Sequence, residues 1–543
     1  MHQLAFADYI VFFIYFIVVC SYGVFIYYRK KARQSNSRDF FLAEGSLTWW
    51  AIGASLIASN ISAEHFIGMS GSGFALGLAI STYEWMAAAT LIIVAVFFLP
   101  VYLKNKIYTM PQFLEQRYNS TVSTIMAIFW LLVYVFVNLT SIIYLGALAI
   151  HSISGISFLA CIVGLVFFSI VVTLGGMKVI GYTDVLQVAV LILGGLVTTY
   201  LALNRVSAHF GYGDDVWLGA QLLHQKANTH FHMIFDSSHK YYADLPGLSV
   251  LVGGMWINNL NYWGCNQYII QRALGADLRT ARSGILFAAF LKLLVPVIAV
   301  LPGIAAYVLY QEGLFQTEMA NELGVLKPDH AYPTLLNLLP GGLKGLAFAA
   351  LTAAIVASLA GKANSIATIF SLDIYKKFFH RHATEKQLVH TGRWTVIISL
   401  VIASLVAPAL SNLEQAYQFI QEYVGFISPG VLAIFLLGFF WKRATARAAL
   451  FAALLTIPLS TVLKYLPYWT GGAFPDYPFL DRMSIVFVFL VVLMLLISLL
   501  DARSKNQEAI IKIDPTMFRT SPAFIGGSVL ILGILTALYT AFW

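Results

Sequence analysis

Apolar runs of about 20 residues recur along nearly the whole of this 543-residue chain, and no other feature restricts its fold as strongly. Hydrocarbon offers no water to unpaired backbone groups, so a chain of such runs closes its hydrogen bonds inside helices. A soluble helix carries one apolar stripe, whereas these runs are apolar on every side. Charged residues make up 11% of the chain and hydrophobic ones 59%, against roughly a quarter charged in a soluble domain. The expected class is an all-α polytopic membrane protein of about fourteen spans. They fall near 9–28, 47–73, 76–103, 122–152, 158–174, 182–203, 247–269, 284–310, 342–375, 394–410, 415–441, 444–466, 483–500 and 522–543. The first span reads as retained, because MHQLAFADYI has no basic leader and the run ends in Arg29-Lys30-Lys31, not at a small-residue cleavage site.

The net charge of +8 does not imply nucleic acid, because the basic residues are scattered over short loops and report orientation. With the N-terminus outside, the cytoplasmic loops hold Arg29, Lys30, Lys31, Arg33 and Arg38, then Lys104, Lys106 and Arg117, and later Arg272, Arg279 and Arg282. The outer loops hold far fewer, among them Arg205, Lys226 and Lys240. Both termini are expected outside, in a cell membrane (the inner one in a Gram-negative cell). Cys20, Cys161 and Cys265 fall in apolar spans with no metal or disulfide spacing and read as core residues. The histidines of the outer loop (His209, His224, His230, His232, His239) are irregularly spaced and read as solvated. No nucleotide-binding glycine loop is present, so an ATP-driven pump would need a partner subunit. No nucleophile–base or metal constellation suggests an enzyme.

Two spans carry a defect. The second contains SNISAEH, which places Asn60, Glu64 and His65 where lipid calls for Leu and Val; the seventh contains NNLNYWGCNQ, from Asn258 to Gln267. Discontinuous helices at corresponding places in two halves point to a transporter binding site, where freed carbonyls meet a cation and freed amides meet a solute. Other intramembrane ionisable residues are Glu84, Lys292 and Lys362, with Asp184 at the start of the sixth span. Each is a functional candidate because its insertion is costly. Two readings stand for Glu84 and Lys292, a structural ion pair or a pair that recognises hydroxyls. Asp184 is either functional or an interface residue.

The block RDFFLAEGSLTWWAIGASLIASNISAEHFIGMSGSG and the block IQEYVGFISPGVLAIFLLGFFWKR resemble the solute:sodium symporter family, which includes bacterial sodium/galactose symporters and animal sodium/glucose cotransporters. The resemblance implies a LeuT-type core of two inverted five-helix repeats. These would span 47–204 and 247–441, with a leading helix and loop at 1–46, an outer loop at 205–246 and three trailing helices at 442–543. It places solute contacts at Asn60, His65, Glu84, Asn138, Asn259, Lys292 and Gln421. Met69, Tyr83 and Tyr417 match an outer gate, and Tyr262 matches the aromatic that closes the site from inside. Sodium, the coupling ion, would meet oxygens of Ala58, Ile61, Ala354 and Ser358, with Asp184 on its exit route. No cofactor is implied. Ala357 stands where the family has a second sodium-ligating serine, and Lys362 follows Ser358 by one helical turn. Lys362 either lines a wet vestibule or stands in for the ion. The expected function is uptake of a hexose or related polyol with sodium by alternating access. The alternatives are sodium-independent or proton-coupled sugar transport, or a membrane-embedded sugar sensor.

Overall fold

The structure, a computed structural model, describes residues 4–29, 37–42, 47–320, 324–412, 416–501, 511 and 513–543. Lys30, Lys31 and Arg33 lie outside the described residues. Helix α1 (Phe6–Arg29) leads. α2 (Trp49–Asn60) stops at an extended Ile61 (φ −72°, ψ 120°), and the chain resumes as a wide π-helical turn, Glu64–Met69, followed by α3 (Ser70–Leu76) and α4 (Thr82–Ile93). α5 (Ser120–Val133) and α6 (Thr140–Ser154) flank a second π-helical turn at Tyr134–Leu139. α7 (Phe158–Thr173) and α8 (Gly176–His209) complete the first half.

After the loop come α9 (Leu248–Val252), α10 (Gly254–Gly264) and α11 (Gln267–Leu274), three pieces of the expected seventh span. α12 (Leu278–Gln311), α13 (Leu343–Ile369), α14 (Glu385–Val406), α15 (Ala416–Gly425) and α16 (Ser428–Phe440) follow. α17 (Ala446–Trp469), α18 (Phe479–Leu500) and α19 (Pro522–Ala541) trail.

Among the described residues, 11 helices are long and apolar enough to cross a bilayer, fewer than the fourteen expected. The shortfall falls at 47–73 and 247–269, which are cut into pieces, and at 158–174, where α7 has 16 residues. A count by helix length drops the interrupted spans because interruption shortens them.

α12 lies at the centre and packs against α2, α3, α4 and α8. Its crossing with α2 depends on Gly53 and Gly284: a Cβ on Gly53 would sit 2.7 Å from the Gly284 carbonyl oxygen. Small residues let helix backbones approach this closely where hydrophobic burial gives no preference between protein and lipid. Burial grades outward from there. The hydropathic window of Leu343–Phe379 is 89% buried and that of Pro522–Ala541 only 22%, so the trailing helix turns Ile525, Val529 and Leu530 to the surroundings.

The cytoplasmic basic residues of the sequence reading are not all solvated. Arg117 donates to the carbonyls of Gly438 (2.8 Å), Ala444 (3.1 Å) and Trp441 (2.9 Å), where a helix ends. Arg282 donates to Ala95, Arg519 and Met517. Arg272, expected in a loop, lies within α11 and is fully buried. Its guanidinium is used internally, as described below.

Candidate functional site

The interruption after Asn60 follows from where its amides go. In a continuous helix the N–H groups of Ser62, Glu64 and His65 would return to the carbonyls of Ala58, Asn60 and Ile61. Instead the Ser62 amide donates to His65 Nδ1 (3.4 Å), the Glu64 amide to Ser62 Oγ (3.2 Å) and the His65 amide to the Ser62 carbonyl (3.1 Å). The carbonyls of Ala58, Asn60 and Ile61 are thereby released from helical donors. That of Ser59 accepts from Ser358 Oγ of α13 at 3.0 Å.

The second interruption lies further along than the asparagine tract suggests. Asn258, Asn259 and Asn261 are helical within α10, and the break falls at Cys265 and Asn266. The Asn259 amide folds back on the Met255 carbonyl (3.2 Å), and Asn261 donates to Ser428 Oγ (2.9 Å). Tyrosines from the first half cover the freed groups. Tyr102 donates to the Gly264 carbonyl (2.6 Å), and Tyr134 donates to Asn266 Oδ1 while accepting from the Gln267 amide (3.1 Å).

A cavity lies between the two interruptions, lined by residues of both. Asn60, His65, Glu84, Asn138, Asn259, Lys292 and Gln421 all line it, together with Tyr83 and Tyr262. These solute candidates come from six separate stretches of chain. Lys292 Nζ donates to both Asn60 Oδ1 and Glu84 Oε2. His65 Nε2 faces Glu84 Oε1 at 3.3 Å. Because His65 Nδ1 accepts from Ser62, its other nitrogen carries the proton toward Glu84. Asn60 Nδ2 donates to the Tyr262 hydroxyl (2.9 Å), and the Trp263 ring lies 5.0 Å from the Lys292 ammonium. Glu84 and Lys292 therefore form an ion pair that also lines the cavity.

Glu64 and Lys362 line the same cavity beside Tyr268. Ser141 Oγ donates to Glu64 Oε1 at 2.7 Å. Lys362 Nζ donates to Ser358 Oγ at 3.4 Å and sits 5.0 Å above the Tyr268 ring. Ala58, Ile61, Ala354, Ala357 and Ser358 are all buried.

Asp184 is buried, with 1% of its surface exposed. It accepts from Ser55 Oγ (2.5 Å) and faces Arg272 Nη2 at 3.8 Å, while Arg272 Nε donates to Ser55 Oγ (2.8 Å) and Nη1 to the Tyr268 carbonyl. Sequence reasoning missed Arg272. The available signal was its place four residues after Tyr268 in a continuous helix, on the same face.

Met69 is buried but is not among the residues that line the cavity. The side chain of Tyr417 lies outside the described residues. In the outer loop, His230 Nε2 donates to the Phe74 carbonyl (3.1 Å) and its ring stacks on Tyr307. His232 bonds the Trp543 carbonyl (3.0 Å) and His239 stacks on Phe235.

Two broken helices enclosing a polar cavity beside a bundle of lipid-facing helices describe a transporter core. Residues 40–456 match the family model described as "Sodium:solute symporter family". The chain belongs to the sodium:solute symporter family. Over its full length it is 46% identical to the sodium/glucose cotransporter of Vibrio parahaemolyticus, covering 100% of this chain and 99% of the relative. It is 33% identical to sodium/myo-inositol cotransporter 2 of Homo sapiens, over 85% of this chain and 70% of that one. A solved Na+-coupled sialic acid symporter in a substrate-bound outward-open state aligns with a TM-score of 0.77. That alignment covers 92% of this chain and 98% of that one at 22% identity, and it shows the shared LeuT-type fold.

Proposed function

We propose that this symporter carries a neutral, hydroxyl-rich solute, a hexose or related polyol, across the cell membrane by alternating access, with sodium as the co-transported ion. The observation that carries this reading is the Asn60–Lys292–Glu84–His65 network on the cavity wall. A carboxylate there accepts hydroxyl protons, an ammonium and amides donate to hydroxyl oxygens, and Tyr262 and Trp263 offer faces to the CH side of a sugar ring. The cavity's charged side chains are Glu64 and Glu84 against Lys292 and Lys362. They balance, which favours a neutral solute over an acidic one. Two relatives are named for glucose and myo-inositol, solutes that agree with that chemistry.

In this reading Asn60, His65, Glu84, Asn138, Asn259, Lys292 and Gln421 hold the solute. Tyr262 closes it from inside, and Met69, Tyr83 and Tyr417 close it from outside. Sodium takes the carbonyl oxygens freed at Ala58 and Ile61, the Ala354 carbonyl and the Ser358 hydroxyl. Binding there ties interrupted α2 to α13 and shifts the population toward the solute-competent form. Residues 47–204 and 247–441 act as the two inverted repeats, rocking about the cavity, with both termini outside.

The test is uptake of a radiolabelled panel of hexoses and polyols into proteoliposomes, with and without an inward sodium gradient. Saturable uptake that the gradient accelerates is the expected result. Uptake of a sugar that saturates but ignores sodium overturns the symport part, and no counterflow of any sugar or polyol overturns the solute class.

A second reading, transport without sodium, is favoured by one observation. Ala357 offers no side-chain oxygen, and the Ser358 hydroxyl already holds the Lys362 ammonium.

A further inference from the structure

We propose that the Lys362 ammonium is a tethered cation that competes with the transported cation for the Ser358 hydroxyl and moves to Glu64 when that cation binds. The proposal rests on the reading that the carbonyls freed at Ala58 and Ile61, with Ser358, form the cation site.

A serine hydroxyl has one proton to give and two lone pairs. Ser358 gives its proton to the Ser59 carbonyl (3.0 Å) and takes the Lys362 ammonium on a lone pair (3.4 Å). The neighbouring position, Ala357, adds no side-chain oxygen. A hard cation sits about 2.3–2.6 Å from each oxygen ligand. If it shared Ser358 with Lys362, the two charges would be no more than about 6 Å apart. At an effective dielectric of 20, repulsion at that distance weakens cation binding by about 100-fold. Both charges on one oxygen is therefore the disfavoured arrangement, and the ammonium must give way.

The charges nearby show where it goes. Lys292 is paired with Glu84, and Arg272 with Asp184. Glu64 is the carboxylate left over: among the described residues it makes no ion pair, and its oxygens take only the Ser141 and Ser62 hydroxyls and no cation. It lines the same cavity as Lys362, it attracts the ammonium, and the Arg272 guanidinium repels it. With Lys362 charged, Glu64, Glu84 and Asp184 are matched by Lys362, Lys292 and Arg272, and no carboxylate remains uncompensated for an incoming ion. The site thus holds its own cation when empty. Lys362 on Ser358 buttresses the hydroxyl that joins α13 to interrupted α2, so the carrier can return without an ion. Sodium entering displaces the ammonium toward Glu64, and sodium leaving lets it fall back.

The experiment titrates the purified full-length chain with sodium chloride, with choline chloride holding ionic strength constant, and reads the melting temperature by tryptophan fluorescence. Lys362→Met should lower the half-saturating sodium concentration at least 10-fold, while Lys362→Arg, which keeps the charge, should not. Glu64→Gln removes the landing place and should raise it by a similar factor; it serves as the deciding variant if Lys362→Met does not fold. A wild-type chain indifferent to sodium, with a Lys362→Met chain that responds, is the same competition at its limit; it supports the proposal while removing sodium from the proposed function. Equal half-saturation in wild type and Lys362→Met, or in wild type and Glu64→Gln where that variant decides, overturns the proposal. So does a lack of response in both wild type and Lys362→Met. Saturable sugar uptake in that last case would leave the solute reading standing.

Discussion

Replacing Arg272 by methionine leaves Asp184 buried without its cation. The guanidinium and the carboxylate are 3.8 Å apart, with side-chain exposures of 0% and 1%, so water cannot take over. At that separation and an effective dielectric of 20 the attraction is about 4 kcal/mol. Breaking one partner out of a buried pair costs about 3–5 kcal/mol, whereas replacing both with apolar or neutral groups is often close to neutral. The expected pattern is therefore a double-mutant cycle with strong coupling. Arg272→Met lowers the melting temperature in detergent sharply. Asp184→Asn also lowers it, because the guanidinium then loses its counter-charge but keeps the Ser55 and Tyr268 oxygens. The double variant recovers most of the loss. Arg272→Lys does not rescue, because an ammonium cannot reach Ser55 Oγ and the Tyr268 carbonyl in the fork that Nε and Nη1 provide. Four melting curves by tryptophan fluorescence suffice. A double variant whose loss equals the sum of the two single losses would refute the reasoning, since it would mean that the two charges do not compensate each other.

Glu84→Gln keeps the shape of the side chain but leaves Lys292 buried with no counter-charge; sugar counterflow should fall by about 100-fold or more, equivalent to the roughly 3 kcal/mol of a charge-assisted pair, and unchanged counterflow would remove Glu84 from the solute site. Ala357→Ser restores a hydroxyl beside Ser358 and should lower half-saturating sodium in uptake assays; no shift would mean that position 357 does not face the ion. His230 supplies a pH dependence outside the membrane. Burial holds its pKa below the ordinary histidine value, aided by the charge of His239 and opposed by its bond to Phe74. The unfolded chain then binds the proton more readily than the folded one, so stability is full above the unfolded value near 6.5 and falls as pH drops below it. Melting curves from pH 8 to 5 should show that decline, and His230→Gln should flatten it.

Several parts of this molecule were legible in the chain. The fold class is written in the length and all-round apolarity of the runs, because backbone satisfaction in hydrocarbon is a local requirement. The first interruption is written in SNISAEH, because Ser62 and His65 capture amides within three residues of themselves. The asparagine tract was half legible. It marks the correct span, but its own side chains fold back on the helix or cross to Ser428, and the break lies at Cys265 and Asn266, where Tyr102 and Tyr134 wait. Nothing near residue 265 in the sequence announces a tyrosine from residue 134.

Charge shows the same division. Composition and spacing located Glu84, Lys292, Lys362 and Asp184 as ionisable groups within apolar runs. Arg272, one basic residue among several near a span end, read as a loop cation, although it is buried against Asp184. Which charge compensates which is a matter of separations such as the 208 residues between Glu84 and Lys292, and periodicity carries no information at that range. The sequence by itself determined that this chain spans a membrane and which two spans are interrupted, since both follow from short-range hydrogen bonding and hydropathy. Only the tertiary structure decided which failures face one another and which charges meet in the space between them, because a buried charge is fixed by partners that the fold alone brings within reach.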